Sequence, residues 1–356
     1  MNRRYAKPLA WFLCVLLVCA VSGGCACAEQ QKYSTTFYDV FDTVTTIIGY
    51  ADSQEDFDDV ANEARAMFVR YHQVYDGYNA YEGVHNLYYV NQNAAAGPVE
   101  AEPELMELLI WIRDLQPSLA GRVNVALGAV LRLWHDAREE GTSLPDSAAL
   151  LEASEHVDMS RVILDEQAGT VYFEDPEMSL DLGAVAKGYT TERVAQWMLE
   201  SKMPSFIISA GGNVRCGQKP QDGRARWGVS IQDPGEIDGQ PGSNYLDVLY
   251  LTGLSVVTSG DYQRYYTVDG VRYHHLIDPD TLYPGTYMRS VTIVTEDSGY
   301  ADALSTAVFL MPYEQGRAFV DALDGVEAYW VLEDGTVAYT DGLASMLFSQ
   351  GSTSRD

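Results

Sequence analysis

Cysteine and positive charge are both scarce in this sequence of 356 residues. Four of the five cysteines lie within the first 27 residues, so Cys216 is the only thiol in the rest of the chain. This excludes a disulfide framework, and Cys216 is predicted to be a small buried apolar residue. Lysine and arginine total 23 against 51 acidic residues, a formal net charge of −28. The deficit argues against nucleic acid or anionic membrane surfaces as partners, because basic patches supply that affinity.

No hydrophobic run is long enough for a comfortable membrane span. The run from Leu9 to Val21 has 13 residues and follows three basic residues, so residues 1–24 are predicted to be a secretion signal. Two cleavage sites compete. Ser-Gly-Gly-Cys resembles a bacterial lipobox, which favours lipidation of Cys25 and makes residues 25–32 a tether. An Ala-x-Ala site would instead release the chain before Glu29. We predict the lipid-anchored, extracytoplasmic form.

A dinucleotide-binding fingerprint is absent as well. Ser209–Asn213 reads SAGGN, but no helical period follows it, so it is interpreted as a glycine turn at a strand end. We find no internal repeat and no long linker. The chain therefore has room for one large domain, and its 47% hydrophobic content supports a substantial core.

Helix and strand signals are mixed without a regular βαβ period. Helices are predicted at Gln54–Tyr75, from Pro103 to Pro117, at Asn124–Glu140 and within Tyr300–Leu323, with strands concentrated in the second half. The tyrosine- and asparagine-rich residues 75–93 are predicted to be irregular. The mixture predicts an α+β fold. We expect one domain, residues 33–348, built on a large, mainly antiparallel sheet with flanking helices, and a frayed tail at 349–356.

The segment DLGAVAKGY, Asp181 to Tyr189, has the composition of a ligand-binding turn. Asp181 is predicted to end a strand, Gly183 permits close backbone approach, and a helical period follows. Amides at a helix start favour anions, and Lys187 adds a positive charge. An ordinary strand-to-helix turn with a solvated lysine would have the same local pattern.

The segment ADALSTA, Ala301 to Ala307, offers a set of oxygen ligands. Asp302, Ser305 and Thr306 are spaced i, i+3 and i+4, which puts a carboxylate and two hydroxyls on one helical face. Oxygen ligands suit a hard cation such as Mg²⁺ better than zinc. The alternative is that Asp302 only caps the helix that follows it. With DLGAVAKGY, the segment indicates a metal and phosphate site.

These two segments, with five further blocks, resemble the ApbE flavin transferases, also called FAD:protein FMN transferases. The further blocks are SAGGN, WGVSIQDP (Trp227–Pro234), VVTSGDYQRYY (Val256–Tyr266), HLIDP (His275–Pro279) and the SVTIVT that precedes ADALSTA. They occur in the family's order over roughly residues 33–348. The resemblance implies Mg²⁺-dependent transfer of the FMN half of FAD to a threonine or serine hydroxyl of another protein, with release of AMP.

The resemblance also implies roles for individual residues. Asp302 and Thr306 match the side-chain ligands of Mg²⁺, Ala184 matches a carbonyl ligand, and Ser305 could add another carbonyl. His275 matches a histidine near the reacting phosphate and is the candidate base, since a neutral imidazole suits that task. A histidine in a β-hairpin is also often a packing group. His274 is predicted to face the opposite side of the strand.

Contacts to FAD follow from the same resemblance. The matching positions are Phe41, Tyr78, Arg122, Val123, Asn124, Asp181, Lys187 and Leu276. In residues 121–126 the family's aspartate is replaced by Asn124 and its aromatic residue by Val123. The departure weakens the assignment on the adenine side. The other histidines, His72, His85, His135 and His156, have no accompanying cluster in the sequence.

Three functions remain open at this point. The first is a flavin transferase acting outside the cytoplasmic membrane on a redox subunit or a flavin-bearing lipoprotein. The second is an FAD diphosphatase that gives FMN and AMP with water as the acceptor. The third is a surface-tethered flavin or carbohydrate binder that uses tyrosines for stacking. Magnesium-dependent AMP release separates the enzymes from the binder, and covalent flavin on a protein separates transferase from diphosphatase.

Overall fold

The computed structural model describes residues 30–235 and 245–355 of the chain. The predicted signal, Cys25 and the cleavage site before Glu29 lie outside these residues. The end of the predicted tether is already part of a strand, because the first strand begins at Gln31. Within the two described ranges, no helix combines the length and the hydropathy needed to cross a membrane.

Both α-helices and β-strands are abundant, as the mixed pattern predicted. The strands of the described ranges are β1 (Gln31–Val40), β2 (Thr43–Ala51), β3 (Val99–Glu100), β4 (Val162–Asp165), β5 (Thr170–Phe173), β6 (Phe206–Ala210), β7 (Asn213–Cys216), β8 (Trp227–Gln232), β9 (Tyr245–Leu251), β10 (Ser255–Gly260), β11 (Tyr265–Val268), β12 (Val271–His274), β13 (Met288–Thr295), β14 (Glu327–Leu332) and β15 (Val337–Tyr339). The helices are α1 (Gln54–Tyr75), α2 (Leu87–Asn93), α3 (Pro103–Leu115), α4 (Gly128–Glu140), α5 (Ser147–Ala153), α6 (Ala186–Glu200), α7 (Ser298–Phe309) and α8 (Tyr313–Asp321).

A large antiparallel sheet organises the domain. It has eight strands in the order β1-β2-β6-β7-β10-β13-β14-β15, and every neighbouring pair runs antiparallel. Seven of the eight residues of β13 are buried, and its sequence MRSVTIVT is rich in β-branched residues, as expected of a strand inside a sheet. The predicted α+β fold on a mainly antiparallel sheet is confirmed.

Helices α6 and α7 pack against each other and against the middle of this sheet. A buried ion pair joins them to β7: Arg215 donates to Glu192 at 3.0 Å, and Glu192 also accepts the backbone N–H of Ser298 at 2.9 Å. Because Glu192 lies in α6 and Ser298 begins α7, the carboxylate fixes the start of one helix against the side of the other. This packing positions the candidate site.

Several predicted elements are confirmed, and some expectations are wrong. Helix α1 has the predicted bounds, and Ser53 caps it by accepting the N–H of Asp56. Helix α4 begins at Gly128 rather than at Asn124. The stretch expected to be irregular contains α2, which buries Leu87 and Val90.

The tail expected to fray is instead attached to the domain. A short 3-10 helix spans Phe348–Gln350, and Ser352 is nearly buried. The carbonyl of Ser354 accepts the backbone N–H groups of Ala225 and Arg226. Backbone hydrogen bonds therefore extend to the end of the described residues, where the composition GSTSRD alone offered no apolar anchor.

Candidate active site

The start of helix α6 is capped by a residue from another helix. Val185, at the N-cap position, supplies no side-chain hydrogen bond. Instead Asp302, inside α7, accepts the N–H of Gly188 at 2.8 Å. The helices touch here, since a Cβ added at Gly188 would lie 2.4 Å from both the Cβ of Asp302 and the carbonyl oxygen of Ser298. Asp302 therefore does not cap its own helix, a role that Asp297 fills by accepting the N–H of Tyr300 at 2.7 Å.

Asp302 is a buried carboxylate without an ion pair among the described residues. Its exposed fraction is 5%, and burial raises its pKa, although the nearby charge of Lys187 and hydrogen bonds from Gly188 and Asn213 oppose that rise. Beside it lies the amide oxygen of Asn213, which is buried and has no hydrogen-bond partner. A buried carboxylate without a salt-bridge partner, next to an oxygen without a hydrogen-bond donor, favours a cation, because the described residues satisfy the pair only in part.

The other predicted metal ligands differ in their availability. Thr306 lies one turn after Asp302 in α7 and is 8% exposed. The hydroxyl of Ser305 is engaged: it donates to the carbonyl of Asp302 at 2.9 Å and lies 2.8 Å from the hydroxyl of Ser259. Only its carbonyl could serve a cation. The carbonyl of Ala184 accepts no backbone N–H from the described residues, because the N–H of Gly188 is directed to Asp302.

This set of oxygens fits a hard cation. The described residues contain no group of three or more His, Cys, Asp or Glu side chains that could hold a metal ion. A thiolate- or imidazole-rich site for a softer metal is thus not formed in these ranges. One carboxylate with hydroxyl and carbonyl oxygens is the donor type that Mg²⁺ takes, with water and phosphate oxygens completing its coordination.

Asp181 is fixed by two hydrogen bonds at the turn before α6. One carboxylate oxygen accepts the N–H of Gly183 at 2.7 Å, and the other accepts the hydroxyl of Tyr78 at 2.8 Å. Burial and the charge of Asp181 raise the pKa of Tyr78. The structure thus brings together two predicted flavin contacts that are far apart in sequence. The predicted strand end before Asp181 is only a single bridge, Ser179 to Leu127, so no regular strand ends here.

Helix α4 adds residues that the sequence analysis missed. The ring of His135 lies 4.2 Å from that of Tyr78, and the guanidinium of Arg132 lies 5.0 Å from the same ring. His135 also lies within 3.1 Å of a nitrogen of Arg138. The spacing of Arg132 and His135 at i and i+3 was a usable signal, but nothing in the sequence showed that this face meets Tyr78.

Phe41 lies at the tip of the β1–β2 hairpin in a left-handed backbone conformation, with φ of 52°. Its N–H donates to Nδ1 of His72 at 3.3 Å, and the two rings meet edge to face at 5.4 Å. Its carbonyl accepts a hydrogen bond from Arg264 at 2.7 Å. His72 is thus a further residue of the site that no local motif identified, whereas Arg264 lies in the block VVTSGDYQRYY, from which no role was predicted for it.

His275 follows directly after β12 and lies against Arg264. The carbonyl of Arg264 accepts the backbone N–H of His275 at 3.1 Å and lies 3.2 Å from its Nδ1. Burial, with the positive charges of Lys187 and Arg264, lowers the pKa of His275 to about 3. The ring is therefore neutral at physiological pH. With Nδ1 donating to a carbonyl, Nε2 keeps its lone pair free to accept a proton.

His274 has the structural role. Its side chain is buried, Nε2 lies 2.7 Å from the carbonyl of Gly285, and the ring packs edge to face on Phe309. The two adjacent histidines therefore have different partners. Lys187 lies near both His275 and Asp302, because its positive charge lowers the pKa of each.

Residues 121–126 reach the site through their backbone. The carbonyl of Val125 accepts the N–H of Asp181 at 2.8 Å. Val123 is 3% exposed within the main core, and the amide of Asn124 donates to the carbonyl of Val157. Arg122 forms ion pairs with Asp278 at 3.3 Å and Asp280 at 2.7 Å. These side chains hold neighbouring loops together.

Leu276 follows His275 in the segment after β12 and is buried. Its N–H donates to Nδ1 of His274 at 3.2 Å, and its carbonyl accepts the N–H of Gly285 at 3.0 Å. The side chain belongs to the same core as Val123 and Ala186. Leu276 therefore anchors the loop that presents His275.

The sequence has relatives among known proteins. The profile of the ApbE family matches residues 41–330. The FAD:protein FMN transferase of Treponema pallidum (strain Nichols) is 35% identical over 269 residues, which cover 71% of this chain and 72% of that protein. The protein of the same name from Klebsiella pneumoniae (strain 342) is 31% identical, covering 69% and 74%.

Solved structures show the same fold. The crystal structure of the ApbE protein from Thermotoga maritima MSB8 superposes with a TM-score of 0.76 at 28% identity, covering 88% of this chain and 98% of that one. The flavin transferase ApbE from Vibrio cholerae superposes with a TM-score of 0.74 at 20% identity, covering 89% and 99%. With a family profile over most of its length and relatives above 30% identity, the chain belongs to the ApbE family.

Proposed function

We propose that this protein transfers the FMN moiety of FAD to a threonine or serine hydroxyl of another protein and releases AMP. The observation that carries the proposal is the meeting of Asp302, Lys187 and a neutral His275 around the start of α6. Phosphoryl transfer needs a held diphosphate, positive charge and a group that accepts the hydroxyl proton. The names of the relatives supply the substrate class.

The reaction balances with the residues of this site. The acceptor oxygen attacks the phosphorus of the FMN half. The bond from that phosphorus to the oxygen that bridges the two phosphates breaks, and AMP leaves with the bridging oxygen. His275 Nε2 takes the proton of the attacking hydroxyl, while Nδ1 stays bonded to the carbonyl of Arg264. The positive charge of Lys187, which acts on both His275 and Asp302, would hold the phosphates. The phosphoester leaves the flavin bound to the acceptor.

Asp302, Thr306 and the carbonyls of Ala184 and Ser305 would hold Mg²⁺. When bound, the ion would neutralise charge on the diphosphate in a protein whose net charge of −28 otherwise repels it. Tyr78, which bonds Asp181, and Phe41, which bonds Arg264, would contact the flavin half. We further propose that the acceptor is a redox subunit or a flavin-bearing lipoprotein.

The test is to incubate the purified protein with FAD, Mg²⁺ and a candidate acceptor, and to weigh the acceptor. Transfer predicts an acceptor heavier by one FMN residue and AMP in equal amount. AMP and free FMN with every acceptor unmodified would identify a diphosphatase instead. FAD binding without AMP would leave only the binder. Omitting Mg²⁺ is the control for metal dependence.

For location, we propose a lipid anchor at Cys25 that holds the domain outside the cytoplasmic membrane. The support is the Gly24-Cys25 pair after the apolar run from Leu9 to Val21. Cys25→Ala in an otherwise exported chain should move the protein from the membrane fraction to the soluble fraction. A wild-type mature N-terminus at Glu29 would reject the anchor.

A further inference from the structure

Positive charge that the protein does not neutralise is concentrated at the site. Most described lysines and arginines form ion pairs with carboxylates, as expected with so many acidic residues. Those that form none are Lys32, Arg132, Arg138, Lys187, Lys219, Arg226, Arg264 and Arg355. Four of these surround the site: Arg132 and Arg138 beside Tyr78, and Lys187 and Arg264 beside His275.

Arg264 is a member of this group whose guanidinium has most of its donors unused. Its side chain is partly buried, and its guanidinium makes one hydrogen bond within the described residues, to the carbonyl of Phe41 at 2.7 Å. A guanidinium has five N–H donors in a rigid fork, a shape that matches phosphate oxygens. A partly buried cation without a carboxylate partner is thus available to an anionic ligand.

The surroundings of Arg264 identify that anion. Its backbone carbonyl contacts His275, and its guanidinium is close enough to lower the pKa of His275 together with Lys187. On the other side it bonds the residue at the tip of the β1–β2 hairpin. It therefore lies between the predicted flavin contact and the group that accepts the proton, where the phosphate of the FMN half must lie for transfer.

We propose that the Arg264 guanidinium binds a phosphate oxygen of FAD directly, as a second cation beside Lys187. The inference rests on the proposed function, because it takes FAD as the ligand. The same bond strengthens as charge develops on the oxygens of the transferring phosphorus, so Arg264 contributes to the rate as well as to binding.

A purely structural role for Arg264 makes a different prediction. If Arg264 only held the carbonyl of Phe41, replacing it would disturb the flavin pocket and lower the affinities for riboflavin and FAD alike. If it binds phosphate, riboflavin, which has none, would be unaffected. The affinities of the two flavins therefore separate the roles without any acceptor protein, so the result does not depend on transfer itself.

The experiment measures flavin fluorescence quenching in wild-type protein and in Arg264→Gln and Arg264→Lys, at fixed Mg²⁺. Arg264→Gln should lower the affinity for FAD by about 10- to 100-fold, the contribution of a charged hydrogen bond. The affinity for riboflavin should stay within about twofold of the wild-type value. Arg264→Lys keeps the charge and should recover part of the loss. Arg226→Gln is the matched control. Arg226 also forms no ion pair with a described carboxylate, but its guanidinium donates to the hydroxyl of Ser352 in the C-terminal tail.

Equal weakening of both flavins, or unchanged FAD affinity, would overturn the proposal. If the glutamine variant does not fold, the lysine variant carries the same comparison. Phenylglyoxal labelling of wild-type protein gives an independent measurement: FAD should protect the peptide with Arg264 and riboflavin should not. Absence of transfer with the expected binding pattern would reject the proposed function while leaving Arg264 as a phosphate ligand.

Discussion

At the scale of single residues, two adjacent histidines divide structure and chemistry. The ring of His274 bonds the carbonyl of Gly285 and packs on Phe309. His275 bonds one carbonyl and keeps Nε2 free. His274 ends β12 and His275 lies just beyond it, where the charges of Lys187 and Arg264 act on its ring.

Replacing His275 by asparagine should slow transfer while leaving FAD bound. The loss should be about 10²- to 10⁴-fold, the usual contribution of a positioned base. Flavin on the acceptor, followed by mass, measures the rate, and fluorescence quenching measures binding. Higher pH should partly restore the variant if deprotonation is what was lost. His274→Asn serves as the comparison, and an equal rate loss in a folded His274→Asn variant would contradict the division between the two histidines.

His275 should also make stability depend on pH. Its pKa in the folded protein is lowered to about 3 by burial and nearby positive charge, whereas an unfolded histidine has a pKa of about 6.5. As pH falls, the unfolded chain binds the proton first. The contribution of His275 to the free energy of unfolding is thus complete above pH 6.5. It is lost as the pH falls toward 3, by at most about 1.4 kcal/mol per pH unit. Urea unfolding at pH 7 and pH 5 should show a smaller drop for His275→Asn than for wild type.

Asp302 should affect metal binding and stability separately. Asp302→Ala removes both the carboxylate and the cap of α6, so it should lose Mg²⁺ affinity and about 1 kcal/mol of stability. Asp302→Asn keeps an oxygen for Gly188 and removes only the charge, so it should stay stable but bind Mg²⁺ weakly. Calorimetric titration with Mg²⁺ and FAD, beside thermal unfolding, checks both. Wild-type Mg²⁺ affinity in the asparagine variant would leave Asp302 only its capping role.

At the scale of elements, the contact between α6 and α7 depends on the absence of a side chain at Gly188. Gly188→Ala places a Cβ 2.4 Å from a backbone oxygen, so the helices must separate. We expect a loss of about 1–3 kcal/mol, the range of overpacking, together with weaker Mg²⁺ binding. Gly316→Ala in α8 is the control, since its Cβ would meet a movable methyl of Val308 at 3.2 Å. Chemical unfolding of both variants measures the difference.

Elements set by local signals were predictable, and those set by distant contacts were not. Helix α1 has a cap and an apolar face within its own sequence, so its bounds were predicted from Gln54 to Tyr75. Helix α2 is too short for periodicity to show, and its two buried residues lie among tyrosines and asparagines. The cap of α6 comes from a residue 114 positions later, which no helix-start signal records.

At the scale of the whole molecule, the mixture of strands and helices predicted the fold class, while the strand order was not predictable. The neighbours β2 and β6 are separated in the sequence by the six helices α1–α6, so no local pattern records their pairing. The candidate site shows the same limit. Asp181, Lys187, His275 and Asp302 were found by motif, and Arg264 lies in a motif without a predicted role, but His135 and His72 joined them only through tertiary packing.

The net charge of −28 should make FAD association depend on salt. Long-range repulsion is screened beyond about 10 Å at 0.1 M salt, while partly buried contacts are screened less. Raising NaCl at constant Mg²⁺ should therefore increase the association rate constant of FAD in stopped-flow fluorescence. Riboflavin, which is uncharged, should show no trend. A rate that falls with salt would mean that the cations of the site dominate the approach.

The capping of α6 by Asp302 has a consequence for biosynthesis. The residues that meet at the site are spread from Phe41 to Thr306, and the start of α6 is not capped until α7 has been made and packed against it. A nascent chain that still lacks α7 therefore has no complete phosphate site and cannot capture FAD. Flavin chemistry can begin only after nearly the whole polypeptide has been made and folded, so the order of synthesis itself delays the reaction.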